Sequence, residues 1–217
     1  MEMKPDSTAD TVAASLRKLI AAGDLADGAR LVERELASRL SVSKIHLREG
    51  LQKLKHEGLI EINKNRGAVV RTLTLADVEE IYSLRMLLEG DAIYHAVRRM
   101  DDATFTRVKL VHGLLGEATT PERQDELHRE FHELLYAPCA NARQLKSIRD
   151  LQSQVERYER FQTALLAGTR AFENEHENIL KACQVGNARL AQSMIVAHLA
   201  AVKGIVAKLA NTPAKER

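Results

Sequence analysis

Two adjacent helical patterns, separated by a break of two residues, constrain the fold of this chain more than any other feature. The first pattern lies in VERELASRL, residues 32–40, and the second in SKIHLREGLQKLKHEG, residues 43–58. Apolar residues recur at helical spacing in both. Ser43 is a good N-cap for the second helix, and Gly58 is a typical helix end. The segment therefore predicts a helix, a tight turn at Ser41-Val42 and a second helix.

Two short β-type runs follow this helix pair. LIEI at 59–62 and AVVR at 68–71 flank the polar loop NKNRG, whose glycine suits a hairpin turn. A further helical pattern around residues 12–20 precedes the pair. The order helix, helix, turn, helix, hairpin predicts a winged helix-turn-helix in residues 1–72.

The remainder of the chain has helical periodicity throughout. Thr74 with Asp77 three residues later forms a capping-box pattern that begins a long helix to about Met100. Later helices are predicted at 105–117, 121–136, 142–166, 169–185 and 187–210. With no strand signal after Arg71, the prediction is a mainly α protein whose second domain, residues 73–210, is an all-helical bundle. Residues 211–217 form a tail.

Composition narrows the class of protein. The net charge is only +2, but residues 1–73 hold 13 Lys and Arg against 10 Asp and Glu, whereas the rest holds 19 against 20. A mildly basic first part suits DNA. No apolar run approaches the ~20 residues of a membrane span, and the polar start lacks a signal-peptide core. We expect a cytoplasmic protein in which Cys139 and Cys183 are reduced core thiols.

The start of the second helix of a helix-turn-helix reads bases in the major groove. Lys44 and Arg48 are four residues apart and share a face there. Arg can form two bonds to guanine, whereas Lys acts as a point charge, and the helix N-terminus can hold a phosphate. We expect contacts to double-stranded DNA from the recognition helix, the preceding helix and the hairpin tip: Arg34, Ser43, Lys44, His46, Arg48, Arg66 and Gly67.

The stretch GDLADGARLVERELASRLSVSKIHLREGLQKLKHEGLIEINKNRGAVV resembles the winged helix-turn-helix of the GntR family of bacterial transcription regulators. The helical remainder is similar to the effector domain of its FadR subfamily, the FCD domain, and this resemblance implies that residues 73–210 bind an effector and dimerise. Together the two resemblances cover residues 10–208. They imply family DNA contacts at Arg34, Ser43, Lys44, Arg48 and Gly67.

The recognition helix departs from the family pattern at several positions. Lys44 stands where Arg is usual, Ile45-His46 where a Thr-Pro pair is usual, and Gly50 where Ala is usual. The turn residue Ser41 stands where the family often has Gly. Because Lys lacks the two-pronged donor of Arg, the operator sequences of relatives do not transfer to this chain. Gly50 is expected to cost about 1 kcal/mol relative to Ala.

Four histidines lie on helix faces that point into the predicted bundle. His128 and His132 are one turn apart, and His176 and His198 lie within the apolar stripes of two later helices. Four neutral imidazoles can bind Zn²⁺ or Ni²⁺, and three can do so with an open position for water or a ligand. A metal-free pocket in which the histidines hydrogen-bond an anion is the alternative.

The resemblance adds a ligand pattern to this cluster. FadR-type effector domains carry an Asp and a His as D-x-x-F-H, plus one His on each of two later helices. His132, His176 and His198 match the three histidines, and His128 stands at the Asp position. Imidazole can replace carboxylate as a ligand, but the exchange leaves the site more positive.

Arg85 lies on the apolar face of the helix that begins at Thr74. A buried guanidinium needs a carboxylate partner, and Glu89 four residues later would suffice. Arg85 could instead bind the carboxylate of a small organic acid. The resemblance favours this interpretation, because effectors of the subfamily are commonly carboxylates.

These observations favour a ligand-responsive repressor that binds a pseudo-palindromic operator as a homodimer, since one module reads only a half-site. A DNA-binding protein without an effector is the alternative. A metal hydrolase is disfavoured because Arg129 stands where zincins of the H-E-x-x-H type place the catalytic Glu.

Overall fold

The computed structural model describes the backbone of residues 8–63, 67–166 and 170–211, and their side chains except those of 8, 157 and 160–173. The fold is mainly α, with an N-terminal winged helix-turn-helix followed by an all-helical bundle, as the sequence predicts. Contacts group the described residues up to 73 with 153–157 into one compact unit, and those of 74–152 and 158–211 into a second.

The first unit contains three helices and a small sheet. Its elements are α1 (Thr8–Ala21), β1 (Arg30–Leu31), α2 (Glu33–Leu40), α3 (Lys44–His56), β2 (Ile60–Asn63) and β3 (Gly67–Val70). The antiparallel sheet has the order β1-β3-β2, with Arg30 opposite Val69 and Ile60 opposite Val70. β1 is absent from the sequence prediction because two residues are too few to show an alternating pattern.

The apolar face of α3 anchors the recognition helix against α1. Leu47, Leu51 and Leu54 are buried in one core with Val12 and Leu16. Gly50 belongs to this contact, because a Cβ at that position would lie 2.7 Å from Val12 Cγ1 and 3.3 Å from the Ala13 backbone nitrogen. The glycine thus allows α1 and α3 to pack closely, which helix propensity alone does not reveal.

The second unit is a helical bundle. Its elements are α4 (Leu75–Val97), α5 (Asp102–Glu117), α6 (Pro121–Tyr136), a one-turn 3₁₀ helix (Ala137–Cys139), α7 (Ala142–Leu166), α8 (Arg170–Gln184) and α9 (Ala188–Ala210). Thr74 and Asp77 form the predicted capping box, each side chain accepting the other residue's backbone N–H. α4 packs most extensively against α9.

α9 is long and apolar enough to cross a membrane by length and composition, with a mean hydropathy of 1.6 in its most apolar window. This differs from the expectation that no segment approaches that limit. The helix instead supplies Ala191, Ile195, Leu199 and Val202 to the buried interior of the bundle. The core helix of a bundle passes the same test.

Both cysteines are buried free thiols, as predicted. Cys139 ends the 3₁₀ helix, and Cys183 lies near the end of α8. Desolvation raises the pKa of the Cys183 thiol to about 12, so this side chain remains protonated and packs as a small apolar group.

Candidate functional site

The first turn of α3 presents its polar side chains to solvent. The Ser43 hydroxyl accepts the backbone N–H of His46 at 3.2 Å, which confirms Ser43 as the N-cap. Lys44 and Arg48 are exposed, and the apolar Ile45 between them is 70% exposed. His46 is half-buried. An exposed cationic turn with an exposed apolar side chain suits contact with phosphates and base edges.

Arg48 is held toward α2 by an ion pair. Its Nε donates to Glu33 Oε2 at 2.9 Å, and both side chains are well exposed. Exposed pairs of this kind contribute about 0–1 kcal/mol, so Arg48 can exchange Glu33 for a DNA group at little cost.

The turn and the wing use residues in the left-handed backbone region. Ser41 ends α2 with φ +54°, which explains why a glycine would also suit this position. Gly67 begins β3 with φ +71° and has open space where a Cβ would stand. Arg34 is exposed on α2. The predicted contact at Arg66 lies outside the described residues.

The four predicted histidines come together in the bundle. α6 places His128 and His132, α8 places His176, and α9 places His198. One ligand nitrogen from each lies within 4.8 Å of the others. Three are buried and His128 is half-buried. In tetrahedral Zn²⁺ sites Zn–N bonds of about 2.0–2.1 Å place nitrogens roughly 3.4 Å apart, so small side-chain rotations would close the cluster around one ion.

A hydrogen-bonded chain fixes the orientation of His132. The Tyr136 hydroxyl donates its proton to Glu89 Oε2 at 2.9 Å, and its oxygen lies 3.2 Å from His132 Nδ1. Because that proton goes to the carboxylate, His132 Nδ1–H is the donor to the phenol oxygen. Nε2 of His132 then keeps its lone pair, the form that a metal requires.

His198 is oriented by a carboxylate. Its Nδ1 lies 2.6 Å from Glu175 Oε2 on α8, and a carboxylate only accepts hydrogen bonds at neutral pH. His198 Nδ1–H therefore donates, which in a neutral imidazole leaves the lone pair on Nε2. Two of the four histidines thus have second partners of the kind that metal-ligating histidines use.

Burial keeps His128, His132 and His176 neutral. Desolvation lowers the pKa of His128 to about 4, against the opposing charge of Glu159. Desolvation, reinforced by neighbouring histidines, also holds the pKa values of His132 and His176 well below the ordinary value. Neutral imidazoles can bind a divalent cation at pH 7 without first losing a proton. The donor set and its protonation fit Zn²⁺ or Ni²⁺.

Arg85 is buried and has two carboxylate partners. Its Nε donates to Glu89 Oε1 at 2.7 Å, which confirms the partner predicted from the spacing. Its Nη1 donates to Glu159 Oε1 at 2.5 Å, and the Tyr82 hydroxyl donates to the same oxygen at 2.6 Å. Arg85 is therefore linked through Glu89 and Tyr136 to His132.

Sequence reasoning did not identify several members of this site. Tyr136 lies four residues after His132, a spacing that could have indicated the contact. His112, whose ring centroid lies 5.8 Å from that of His176, follows the buried Val108 by four residues. Glu159 and Glu175 face partners on other helices, so no local spacing points to them.

Comparisons with known proteins identify both domains. Residues 8–70 match the family described as bacterial regulatory proteins, gntR family, and residues 80–201 match the FCD domain. The chain belongs to the gntR family of bacterial transcriptional regulators and carries an FCD domain.

Individual relatives are similar over much of the chain. The uncharacterized HTH-type transcriptional regulator BphR of Paraburkholderia xenovorans is 32% identical over 174 residues, which cover 76% of this chain and 70% of that protein. The gluconate operon transcriptional repressor of Bacillus licheniformis is 31% identical over 59% of this chain and 54% of its own length. Since its relatives are regulators, the chain is a DNA-binding regulator and not an enzyme.

A solved structure has the same fold. E. coli McbR/YncC superposes with a TM-score of 0.83 and 19% identity, covering 95% of this chain and all of that one.

Proposed function

We propose that this chain is a ligand-responsive repressor that binds a pseudo-palindromic operator as a homodimer and responds to a small organic acid. One observation carries the proposal: Arg85 and Glu89 on α4, the helix that begins directly after the winged domain, are hydrogen-bonded through Tyr136 to the buried histidine cluster. A ligand at the cluster would thereby act on the position of α4, the helix that follows the DNA-binding domain in the chain. Such coupling requires two conformations of the protein that bind the ligand with different affinities.

DNA recognition is assigned to Arg34, Ser43, Lys44, His46, Arg48, Arg66 and Gly67. The exposure of the α3 N-terminus supports the role of its residues. Repression is supported by the name of the gluconate operon repressor among the relatives. Dimerisation follows from operator symmetry, because one winged module reads a half-site. A cytoplasmic location follows from this role.

The effector site is assigned to Arg85 and the histidine cluster. His128, His132, His176 and His198 would hold a divalent metal, Zn²⁺ or Ni²⁺, which supplies a Lewis-acidic centre for a carboxylate when bound. The pairing of Arg85 with Glu159 means that an acid must compete for this guanidinium. The FadR subfamily, whose effector domain the bundle resembles, provides the precedent for this organisation.

DNA selection tests the regulatory function. Selection from random duplexes with the full chain should recover a sequence with two inverted half-sites. Its affinity should then be measured with a panel of small carboxylates, in zinc-containing and chelator-treated buffers. At least one acid is expected to change the affinity for this duplex. If no acid changes it, the protein is a regulator without this effector. Recovery of no specific sequence would overturn the function.

Elemental analysis tests the metal. Purified protein should contain close to one equivalent of Zn²⁺ or Ni²⁺, and His132→Ala or His176→Ala should reduce it. Substoichiometric metal that neither substitution changes would remove the metal from the proposal.

A further inference from the structure

The two carboxylates on Arg85 are not equivalent. Glu89 is fully buried, lies on the same helix as Arg85, and uses its other oxygen to accept the Tyr136 hydroxyl. Glu159 comes from α7, and its side chain is 20% exposed. Glu89 is therefore held on both oxygens inside the bundle, whereas Glu159 is the more exposed of the two carboxylates.

Arg85 and Tyr82 form a complete recognition site for one carboxylate oxygen. Arg85 Nη1 and the Tyr82 hydroxyl both donate to Glu159 Oε1, at 2.5 and 2.6 Å. Tyr82 is fully buried and Arg85 is 5% exposed. Two buried donors that converge on one oxygen, one of them charged, are what a small carboxylate would need. No second carboxylate can take both bonds while Glu159 keeps them.

Glu159 also interacts electrostatically with the histidine cluster. Although burial opposes ionisation, the charge of Arg85 and the bond from Tyr82 hold the pKa of Glu159 below its usual value. The same carboxylate opposes the fall in the His128 pKa, which places its charge within electrostatic reach of that imidazole. A ligand carboxylate in the place of Glu159 would therefore act electrostatically on His128 as well.

We propose, building on the function proposed above, that Glu159 is an internal occupant of a carboxylate subsite formed by Arg85 and Tyr82, and that the regulating acid displaces it. Arg85, Glu89 and Glu159 together carry a net charge of −1. Exchange of the Glu159 carboxylate for that of a monocarboxylate preserves this buried charge, whereas a neutral amide would leave Arg85 with one fewer anion. The subsite therefore selects a small acid with one carboxylate at Arg85.

The exchange gives the acid a structural effect. Displacement of Glu159 breaks an ion pair between α4 and α7. The acid binds only those molecules in which Glu159 has left the subsite. The smaller this open fraction is, the weaker is the apparent affinity for the acid. Glu159 thus sets the acid concentration at which the protein responds.

Acetate is the simplest probe of this subsite. Calorimetric titration of the chelator-treated full chain, without DNA, compares wild type with Glu159→Ala. Removal of the internal carboxylate should increase acetate affinity by about tenfold or more, because the competitor is absent. Acetate should also raise the melting temperature of Glu159→Ala more than that of wild type. Acetamide has the same shape without the charge. It should neither bind Glu159→Ala more tightly than wild type nor raise the melting temperature of this variant more than that of wild type.

Two further variants complete the test. Glu80→Ala removes an exposed carboxylate from α4 and should bind acetate as wild type does. If Glu159→Ala does not fold, Glu159→Gln keeps an acceptor for Tyr82 while removing the charge, and it should also bind acetate more tightly. Equal acetate affinity in wild type and the folded Glu159 variant would overturn the exchange. Because DNA is absent, that result is separate from a failure of operator selection.

Discussion

The Nδ1 atom of His198 lies 2.6 Å from Oε2 of Glu175, and this contact joins α9 to α8 beside the histidine cluster. Replacing the carboxylate with an amide weakens the acceptor that holds this imidazole. Removal of such second partners typically lowers metal affinity by about 10–100-fold. We therefore expect Glu175→Gln to release zinc at a correspondingly lower concentration of competing chelator.

Glu177→Gln provides the matched control for this prediction. Glu177 is exposed on the same helix and pairs with Lys181 at 3.5 Å. Its zinc affinity should equal that of wild type. Identical affinities for Glu175→Gln and Glu177→Gln would show that Glu175 does not orient a ligand.

The metal-free protein should become less stable as the pH falls from about 6.5 to 4. The folded-state pKa of His128 is about 4, below its unfolded value, so the unfolded chain binds more protons in this interval. Stability is therefore fully present above the unfolded pKa and is lost as the pH falls toward the folded pKa. His128 alone can contribute up to about 3 kcal/mol across this window.

Urea unfolding of chelator-treated protein at a series of pH values measures this slope. His128→Asn should flatten it, whereas His95→Asn, at a more exposed position on α4, should leave it unchanged. A wild-type slope that persists in full in His128→Asn would contradict the assignment.

Gly50→Ala should destabilise the winged domain although alanine favours helices by about 1 kcal/mol. The added methyl group would lie 2.7 Å from Val12 Cγ1, and overpacking of this kind costs about 1–3 kcal/mol. Gly113→Ala is the matched control, because Gly113 is exposed on α5 with open space around its Cβ position. Gly113→Ala should stabilise the chain in thermal unfolding, and an equal gain in Gly50→Ala would refute the packing argument.

The fold followed from local signals in the sequence. Thr74 with Asp77 and Ser43 before α3 act as caps through contacts three residues apart, so their pattern is visible in the chain. The two-residue strand β1 exists only because β3 pairs with it, and no short-range signal predicts that pairing.

The candidate site was predictable only where helix spacing determines a face. The spacing of His128 and His132, and that of Arg85 and Glu89, identified partners within one helix. The contact of Arg85 with Glu159 spans 74 positions and that of His198 with Glu175 joins two helices. Such contacts depend on how the bundle packs, which periodicity does not specify.

DNA binding by the recognition helix is the central claim, and fluorescence anisotropy on a selected duplex tests it most directly. Lys44→Ala and Arg48→Ala should each cost roughly 1–3 kcal/mol of binding free energy if these side chains read bases. Arg39→Ala is the matched control, because Arg39 is an exposed cation on α2 that pairs with Asp24. A loss of affinity is expected in the two α3 variants, with little change in Arg39→Ala. Operator affinities of Lys44→Ala and Arg48→Ala equal to that of Arg39→Ala would contradict base reading by this helix.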